Sequence, residues 1–468
     1  MEVNTDRFAE ECVSAIQGSV AGLKTLNIIV VGKTGVGKST LINCVFREDL
    51  AVTGMGKPIT DHMSRIRKPG FPLNIYDTRG FELGRDAQIQ VRNEIIDTIK
   101  EGIKTKDVNK QIHCIWYCVN TATNRIEPEE IDWLREFAKE NALTKVPVII
   151  VLTQSFSKKK AQTMRQMILD EKLDVVQVVP VLAQDYEIDE DYVAKAYGLD
   201  VLIQVMAEAL PEELLSTLLN VQRASLELKR YYARAAVAAA TSAAFGEGFM
   251  PVPFADSALL VPTQIAMISS ISAIFGLEIT KSILVTFLSA MVGTSGATMA
   301  GRAIASGIMK LVPGAGSVIG GTVSGSTAAA ITTAMGEAYI MLMEMLWLGE
   351  VNSSELETAE GRKRFRELFK ERLKDRSSKA SDLPEGHSIT DVMDLPENIK
   401  IPDSISKIVD KAMKTAEKIS FKDIFNTLNT MDFSEGSKFQ ESFKSSKFGK
   451  AIEVYRILSA EDKNKKDN

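Results

Sequence analysis

One glycine-rich stretch, residues 28–41, constrains the fold of this chain more than any other. A short apolar run, IIVV, leads into GKTGVGKS and then into the start of a predicted helix. Glycines at positions 32, 35 and 37 let the backbone curl so that several N–H groups point at one anion, and a helix N-terminus adds partial positive charge. The stretch therefore predicts a strand, a phosphate-binding loop and a helix, which together begin an α/β fold.

The spacing of residues in this loop also predicts a chemical role. Gly32, Gly37, Lys38 and Ser39 fit the Walker A pattern at every fixed position. Lys38 is placed to neutralise the β- and γ-phosphates of a nucleotide, and the Ser39 hydroxyl is placed to ligate Mg²⁺. The alternative is a glycine-rich turn that holds no ligand.

The length, net charge and cysteine content of the chain limit the kinds of protein that it can be. A chain of 468 residues is too long for one core, so two or three domains are expected. The formal net charge of −5 argues against a general nucleic-acid binder. The N-terminus lacks the layout of a signal peptide, and the four cysteines, Cys12, Cys44, Cys114 and Cys118, are predicted to be reduced, buried thiols without a metal. These features indicate a cytoplasmic protein.

Strand and helix patterns alternate through the first domain, predicted over residues 1–219. Predicted strands cover residues 73–76, 112–119, 146–152 and 175–182, and predicted helices cover 87–103, 128–141 and 158–173. This order predicts a mostly parallel sheet that binds ligands at the carboxyl ends of its strands. Apolar residues at helical spacing over residues 8–23 predict an amphipathic helix that packs against this domain.

A strand of this domain ends in DTRG, where Asp77 is followed three residues later by Gly80. Asp77 is placed to hold Mg²⁺ through water, and the Gly80 N–H to approach the γ-phosphate; an ordinary Asp-containing turn is the alternative. Thr60, in the preceding polar loop, is predicted to complete the Mg²⁺ shell, with Thr53 as the rival residue. The predicted metal ligands are Ser39, Thr60 and Asp77, and the predicted catalytic residues are Lys38, Thr60 and Gly80.

The segments GKTGVGKSTLIN, DTRGFE and VLTQS, together with Thr60, resemble Era-like, septin-like and related P-loop GTPases of the translation-factor class. The resemblance covers residues 27–210. It implies that GTP is the ligand and substrate, that Mg²⁺ is the cofactor, and that Thr60 and residues 77–80 are the two nucleotide switches. The residues implied to bind nucleotide are Gly32, Lys33, Thr34, Gly35, Val36, Gly37, Lys38, Ser39, Thr40, Thr153, Gln154 and Ala183.

Two departures from this family pattern bear on specificity and rate. The family's base-reading motif, Asn or Thr followed by Lys-x-Asp, corresponds to Thr153-Gln154-Ser155-Phe156, so the aspartate that reads guanine is absent. Phe81 follows Gly80 where a water-positioning glutamine often stands, and a phenyl ring cannot orient water. Slow hydrolysis is therefore expected, aided by Lys33, a switch residue or a second protomer in a homodimer across the nucleotide site.

Residues 220–350 are predicted to form a hydrophobic, small-residue-rich helical domain. The uncharged stretches 257–277, 282–301 and 311–336 are long enough to cross a membrane, and GSVIG and GTVSG are GxxxG steps for close helix packing. Membrane association and a soluble helical bundle are both consistent with this composition. Residues 228–348 resemble the helical domain appended to bacterial Era-like GTPases, which is predicted to be membrane-associated.

The last region, residues 351–468, is predicted to be a charged tail of helices and linkers. A basic amphipathic helix near residues 362–376 suits an anionic lipid surface or a solvated helix face. The chain as a whole is therefore expected to be a P-loop GTPase that is cytoplasmic, or peripheral or integral at the inner membrane. A non-hydrolysing scaffold or membrane-inserting effector and a ribosome-assembly GTPase are the alternatives.

Overall fold

The computed structural model describes residues 5–47, 55–58, 62–78, 85–123, 126–189, 192–247, 256–292 and 325–381. The chain divides into two compact units. The sheet unit comprises Gly18–Lys229 with Ala273–Gly276, and the helical unit comprises Met1–Gln17, Arg230–Ser272 and Leu277–Asn468.

Seven strands of the sheet unit form one sheet in the order β2-β3-β4-β1-β5-β6-β7. They are β1 (Leu26–Val31), β2 (Met55–Pro58), β3 (Met63–Arg67), β4 (Leu73–Thr78), β5 (Cys114–Asn120), β6 (Val148–Thr153) and β7 (Gln177–Pro180). Strands β4, β1, β5, β6 and β7 are mutually parallel, whereas β2 and β3 join antiparallel at one edge. The predicted mostly parallel sheet is therefore confirmed.

The helices are α1 (Thr5–Ala21), α2 (Lys38–Val45), α3 (Arg85–Lys104), α4 (Pro128–Asn141), α5 (Lys158–Asp170), α6 (Leu199–Ala209), α7 (Glu212–Val221), α8 (Leu226–Glu247), α9 (Asp256–Phe275), α10 (Lys281–Val292), α11 (Gly325–Trp347) and α12 (Ala359–Ser381). A separate hairpin of β8 (Tyr186–Asp189) and β9 (Tyr192–Ala194) follows β7. The predicted α/β domain followed by a helical region is the observed fold class.

The central strands are buried on both faces because their sequences are apolar at nearly every position. All six residues of β1, LNIIVV, are buried, as are all six of β6, VIIVLT. On one face, Trp133 of α4 stacks between Tyr117 of β5 and Phe137, with ring centroids 5.3 and 5.1 Å apart. Burying each of these large side chains contributes about 2 kcal/mol, so this core holds the carboxyl ends of the strands in fixed register.

The helical unit buries charged pairs as well as apolar side chains. Arg230 and Arg234 of α8 pair with Glu344 and Glu337 of α11, at 3.0 and 3.5 Å. Pairing explains how these charges are accommodated within an otherwise apolar region. Val351, Leu356, Phe365 and Phe369 are buried too, so the described part of the last region packs within the helical unit.

The N-terminal helix was predicted to be part of the first domain, whereas most of it belongs to the helical unit. Residues 5–17 of α1 belong to the helical unit, where Phe8, Ala9, Cys12 and Ile16 are buried. Lys281, the first residue of α10, pairs with Asp6 at 3.4 Å and Glu10 at 2.8 Å. The amphipathic period identifies a buried face, but it does not identify which surface covers that face.

None of the helices in the described ranges is both long enough and apolar enough to span a membrane. The predicted stretches 257–277 and 282–301 correspond to α9 and α10, which end at Phe275 and Val292. The first GxxxG step and most of the second lie outside the described residues, as does the tail beyond Ser381.

Candidate functional site

The phosphate-binding loop lies between β1 and α2, as the sequence predicts. Gly35 and Gly37 have φ values of 79° and 97°, and Gly32 has φ 148°. A Cβ at position 32 would lie 2.6 Å from the Cys118 carbonyl oxygen, so a side chain there would displace β5. Backbone conformation thus favours glycine at all three positions, and close approach to β5 requires it at position 32 as well.

Lys38, the first residue of α2, reaches back across this loop. Its Nζ donates to the carbonyl oxygens of Gly32 at 2.7 Å and Lys33 at 3.2 Å. Gly37 is the N-cap residue of α2 and has no side chain, so the cap residue itself does not occupy the first amides of the helix. An ammonium and a helix N-terminus therefore meet at one point, which is an arrangement suited to phosphate.

The remaining loop residues differ in their surroundings. Lys33 pairs with the carboxylate of Glu130 at 3.3 Å, whereas Thr34, Ser39 and Thr40 are exposed. Val36 is buried. Ser39 and Thr40 thus remain accessible at the mouth of the loop.

The end of β6 is fastened to the same loop. The Thr153 hydroxyl lies 2.6 Å from the Val36 carbonyl oxygen and 3.1 Å from that of Val119. The side-chain amide of Gln154, whose φ is 51°, donates to the Gly35 carbonyl at 2.9 Å. The structure thus brings two predicted base-side residues into direct contact with the phosphate-binding loop.

Two aromatic side chains lie just beyond these residues. The ring of Phe156 packs against Tyr186 at the start of β8, with centroids 4.4 Å apart and planes inclined by 48°. Ser155 donates its N–H to the Val181 carbonyl at 3.2 Å, and the Tyr197 hydroxyl donates to the Ser155 carbonyl at 2.9 Å. Tyr186 and Tyr197 were not among the predicted site residues, although aromatic residues in a polar segment directly after a strand were an available signal.

Asp77, one of the three predicted Mg²⁺ ligands, lies near the carboxyl end of β4. Asp77 lies on β4 in register with Val30 of β1, directly before the loop. Burial raises the pKa of the Cys118 thiol to about 12, Lys38 lowers it and Asp77 raises it, so both charges act on the same atom. The hydroxyl and carboxylate oxygens of Ser39 and Asp77 suit a hard cation such as Mg²⁺.

Two predicted residues cannot be placed, because Thr60 and Gly80 lie outside the described residues, as do Thr53 and Phe81. Ala183 is half-buried just after β7. Within the described ranges there is no group of three or more His, Cys, Asp or Glu side chains that could hold a metal.

Comparison with known proteins identifies the two parts of the chain separately. Residues 27–154 match the family model described as 50S ribosome-binding GTPase, and residues 207–365 match one described as a domain of unknown function, DUF697. The tRNA modification GTPase MnmE of Janthinobacterium sp. (strain Marseille) is 35% identical over 85 residues, which is 18% of this chain and 18% of that protein. GTPase Era of Mycobacterium avium (strain 104) is 24% identical over 188 residues, or 39% of this chain and 56% of that protein.

A solved structure, that of a dimerization-deficient mutant of Toc33 from Arabidopsis thaliana, aligns with a TM-score of 0.25 and 17% identity over 43% of this chain and 91% of that chain. The chain spans less than two thirds of the length of the curated relatives named above. Residues 27–154, with their phosphate-binding loop and mostly parallel sheet, therefore form a P-loop GTPase domain.

Proposed function

We propose that this chain binds GTP together with Mg²⁺ and hydrolyses it slowly. The observation that carries the proposal is the contact of Lys38 Nζ with the Gly32 and Lys33 carbonyls at the N-terminus of α2. That position lets the ammonium move from the loop carbonyls to the β- and γ-phosphates when nucleotide enters. Water then attacks the γ-phosphate, and Lys38 stabilises the charge that develops on its oxygens.

Ser39, Asp77 and Thr60 would hold the Mg²⁺ ion in this proposal. The ion would neutralise charge on the β- and γ-phosphate oxygens. The oxygen-only donor set and the location of Asp77 beside β1 support this assignment. Gly80 would donate its backbone N–H to the γ-phosphate.

Slow turnover follows from the residues available to position water. Phe81 offers no hydrogen bond to a water molecule. Lys33 already pairs with Glu130 at 3.3 Å, so its charge is partly compensated. We therefore infer that the group that positions the attacking water comes from a second copy of the chain, in a homodimer that closes across the nucleotide site.

The helical unit is proposed to respond to nucleotide state at the surface of the inner membrane. Its support is an apolar, small-residue-rich sequence followed by α12, in which Lys363 and Arg364 are exposed. Exposed basic residues next to apolar sequence favour binding to anionic lipid headgroups. The chain would bind there peripherally from the cytoplasm.

Hydrolysis by the full-length chain tests the enzymatic half. Mg²⁺-dependent phosphate release that is lost in Lys38→Ala and retained in Lys33→Ala is the expected result. Nucleotide binding without release, in monomer and dimer alike, would instead favour the non-hydrolysing scaffold. Sedimentation with phosphatidylglycerol vesicles, compared with neutral vesicles in GTP and GDP, tests the membrane half, and equal binding to both would contradict it.

A second candidate function is binding to the large ribosomal subunit. The description of the family model that matches residues 27–154 supports it, whereas the net charge of −5 does not. Nucleotide-dependent, salt-sensitive sedimentation with 50S subunits would favour this function over the membrane proposal.

A further inference from the structure

We propose that Phe156 and Tyr186 form an aromatic surface that binds the nucleobase by stacking, so that the site accepts purine nucleoside triphosphates without reading the guanine amino group. The inference rests on the proposed nucleotide-binding function and concerns which nucleotides it includes. It requires that Phe156 lies beside the phosphate-binding loop, that its aromatic surface is accessible, and that the carboxylate of Asp185, next to Tyr186, is otherwise engaged.

The position of Phe156 is fixed by its neighbours. Thr153 and Gln154 are hydrogen-bonded to the Val36 and Gly35 carbonyls of the loop. The Phe156 N–H donates to the Gln154 carbonyl at 2.8 Å, which closes a tight turn centred on Ser155, directly after the positive φ of Gln154. Phe156 therefore emerges at the carboxyl end of β6, where parallel α/β sheets bind their ligands.

The aromatic surface is accessible. Tyr186 is 48% exposed, and Phe156 is half-buried with its ring 4.4 Å from that of Tyr186. Because every base has a π-face, stacking on such rings tolerates changes in the groups at the base edge. The Tyr197 hydroxyl holds the Ser155 carbonyl, which keeps the turn that carries Phe156 in place.

A carboxylate close in sequence to this surface is already engaged. Asp185 precedes Tyr186, and its two oxygens accept hydrogen bonds from Lys195 Nζ and from the Ala196 N–H, both at 2.8 Å. These bonds hold the pKa of Asp185 below its ordinary value. An Asp185 carboxylate occupied in this way does not replace the missing guanine-reading aspartate.

Comparing the binding of GTP and ITP distinguishes a site that stacks on the base from one that bonds to the guanine amino group. Guanine and hypoxanthine differ by one exocyclic amino group, which a carboxylate accepts from and an aromatic ring does not. A site that reads the base by stacking therefore binds GTP and ITP with dissociation constants within about 3-fold of each other, because stacking is insensitive to this group. A carboxylate reader would favour GTP by at least about 10-fold, because one charge-assisted hydrogen bond is lost with ITP.

The experiment is competition of GTP, ITP and ATP for fluorescent nucleotide on the full-length chain with Mg²⁺. We expect GTP and ITP to be equivalent and ATP to compete within about 10-fold of GTP. Phe156→Asp should create a preference for GTP over ITP of at least about 10-fold. Phe156→Leu and Tyr186→Ser should weaken all three nucleotides in parallel, whereas Tyr192→Ser, on the exposed β9, should change none.

Each other outcome has a distinct meaning. If the wild-type chain prefers GTP to ITP by 10-fold or more, the inference is overturned while the proposed GTP binding stands. If it binds none of the three nucleotides, both are overturned. Melting temperatures of the nucleotide-free variants, expected to match the wild type, establish that changes in affinity come from the site.

Discussion

The hydroxyl of Thr153 lies 2.6 Å from the carbonyl oxygen of Val36, although the two residues are 117 positions apart in the chain. This bond joins the end of β6 to the phosphate-binding loop. Because Val36 is buried and Thr153 is buried, neither group has water as a replacement partner. The Thr153 side chain thus connects the end of β6, which is predicted to contact the base, to the phosphate-binding loop. Loss of this bond should destabilise both segments.

Thr153→Val keeps the shape of this side chain and removes its hydroxyl. The Val36 carbonyl would lose a buried hydrogen bond, which we expect to cost about 1–2 kcal/mol of unfolding free energy. Urea unfolding measures this cost, and weaker binding of fluorescent GDP should accompany it. Thr153→Ser restores the donor and should recover most of both quantities; if the valine and serine variants behave alike, the bond has no measurable effect.

His113 should make the stability of the sheet unit depend on pH. Its Nδ1 accepts the Asn27 N–H at 3.0 Å, and its Nε2 lies 3.0 Å from the Val108 carbonyl, to which it donates. Burial lowers the pKa of this imidazole to about 4, so between pH 6.5 and 4 the unfolded chain takes up the proton first. Stability is therefore full above about pH 6.5 and should fall by about 2 kcal/mol between pH 7 and pH 5.

Denaturant unfolding followed by the fluorescence of Trp116 and Trp133 measures this pH dependence. His113→Gln keeps an acceptor and a donor and does not titrate in this range, so its pH dependence should be reduced by the same amount. His62→Gln, which removes a half-buried histidine beside Glu94, should leave the effect unchanged. An identical slope in wild type and His113→Gln would refute the assignment.

Lys229 is the most deeply buried lysine or arginine side chain described in the sheet unit. It is fully buried and donates to the carbonyls of Leu219, Ile274 and Phe275, the last two at 2.8 and 3.0 Å. Burial, with Arg47 nearby, holds the pKa of Lys229 well below its ordinary value. Lys229→Met would leave three carbonyls without this donor, and we expect a loss of about 3 kcal/mol of stability, measured by urea unfolding.

The matched control for Lys229 is Lys281→Met. Lys281 also bonds to more than one oxygen, those of Asp6 and Glu10, but it is exposed to solvent. Water replaces its partners, so this variant should unfold like the wild type. If Lys229→Met also unfolds at the urea concentration of the wild type, the Lys229 contacts contribute nothing to stability.

Removing one member of the Arg230–Glu344 pair should destabilise the protein more than removing both members. Two hydrogen bonds of 3.0 and 3.3 Å join these side chains, and the Glu344 side chain is only 1% exposed. Arg230→Met removes both of these bonds from a buried carboxylate, which should cost about 3 kcal/mol, whereas Arg230→Met with Glu344→Met should recover most of that loss. Helical circular dichroism during thermal unfolding measures both, with Arg7→Met at an exposed ion pair as the control.

The sequence predicted those parts of the fold that have a local signal. The apolar runs of β4, β5, β6 and β7 and the loop before α2 were identified within a few residues of their observed ends. Strand β2, with the sequence MGKP, was missed because it has neither apolar alternation nor β-branched residues. The β8–β9 hairpin was missed because its acidic residues resemble a loop.

Contacts between distant segments had no local signal at all. The bonds from Thr153 and Gln154 to the loop depend on the order of strands in the sheet, which places β6 two positions from β1. The substitution of Phe156 for a guanine-reading aspartate was visible in the sequence. Its aromatic partner Tyr186 became visible only when the two loops were brought together in space.

Some contacts of the sheet unit are made by residues that are translated long after the sheet itself. Strand β1 acquires both of its neighbours once β5 has been made, but Asn220 and Lys229 bond to the carbonyls of Ala273, Ile274 and Phe275. A nascent chain therefore carries its phosphate-binding loop through translation of most of α9 before these last contacts can form. Since domains fold as units while they emerge, the nascent protein is open to misfolding and to chaperones during this interval, and a fragment that stops before Ala273 would lack these contacts altogether.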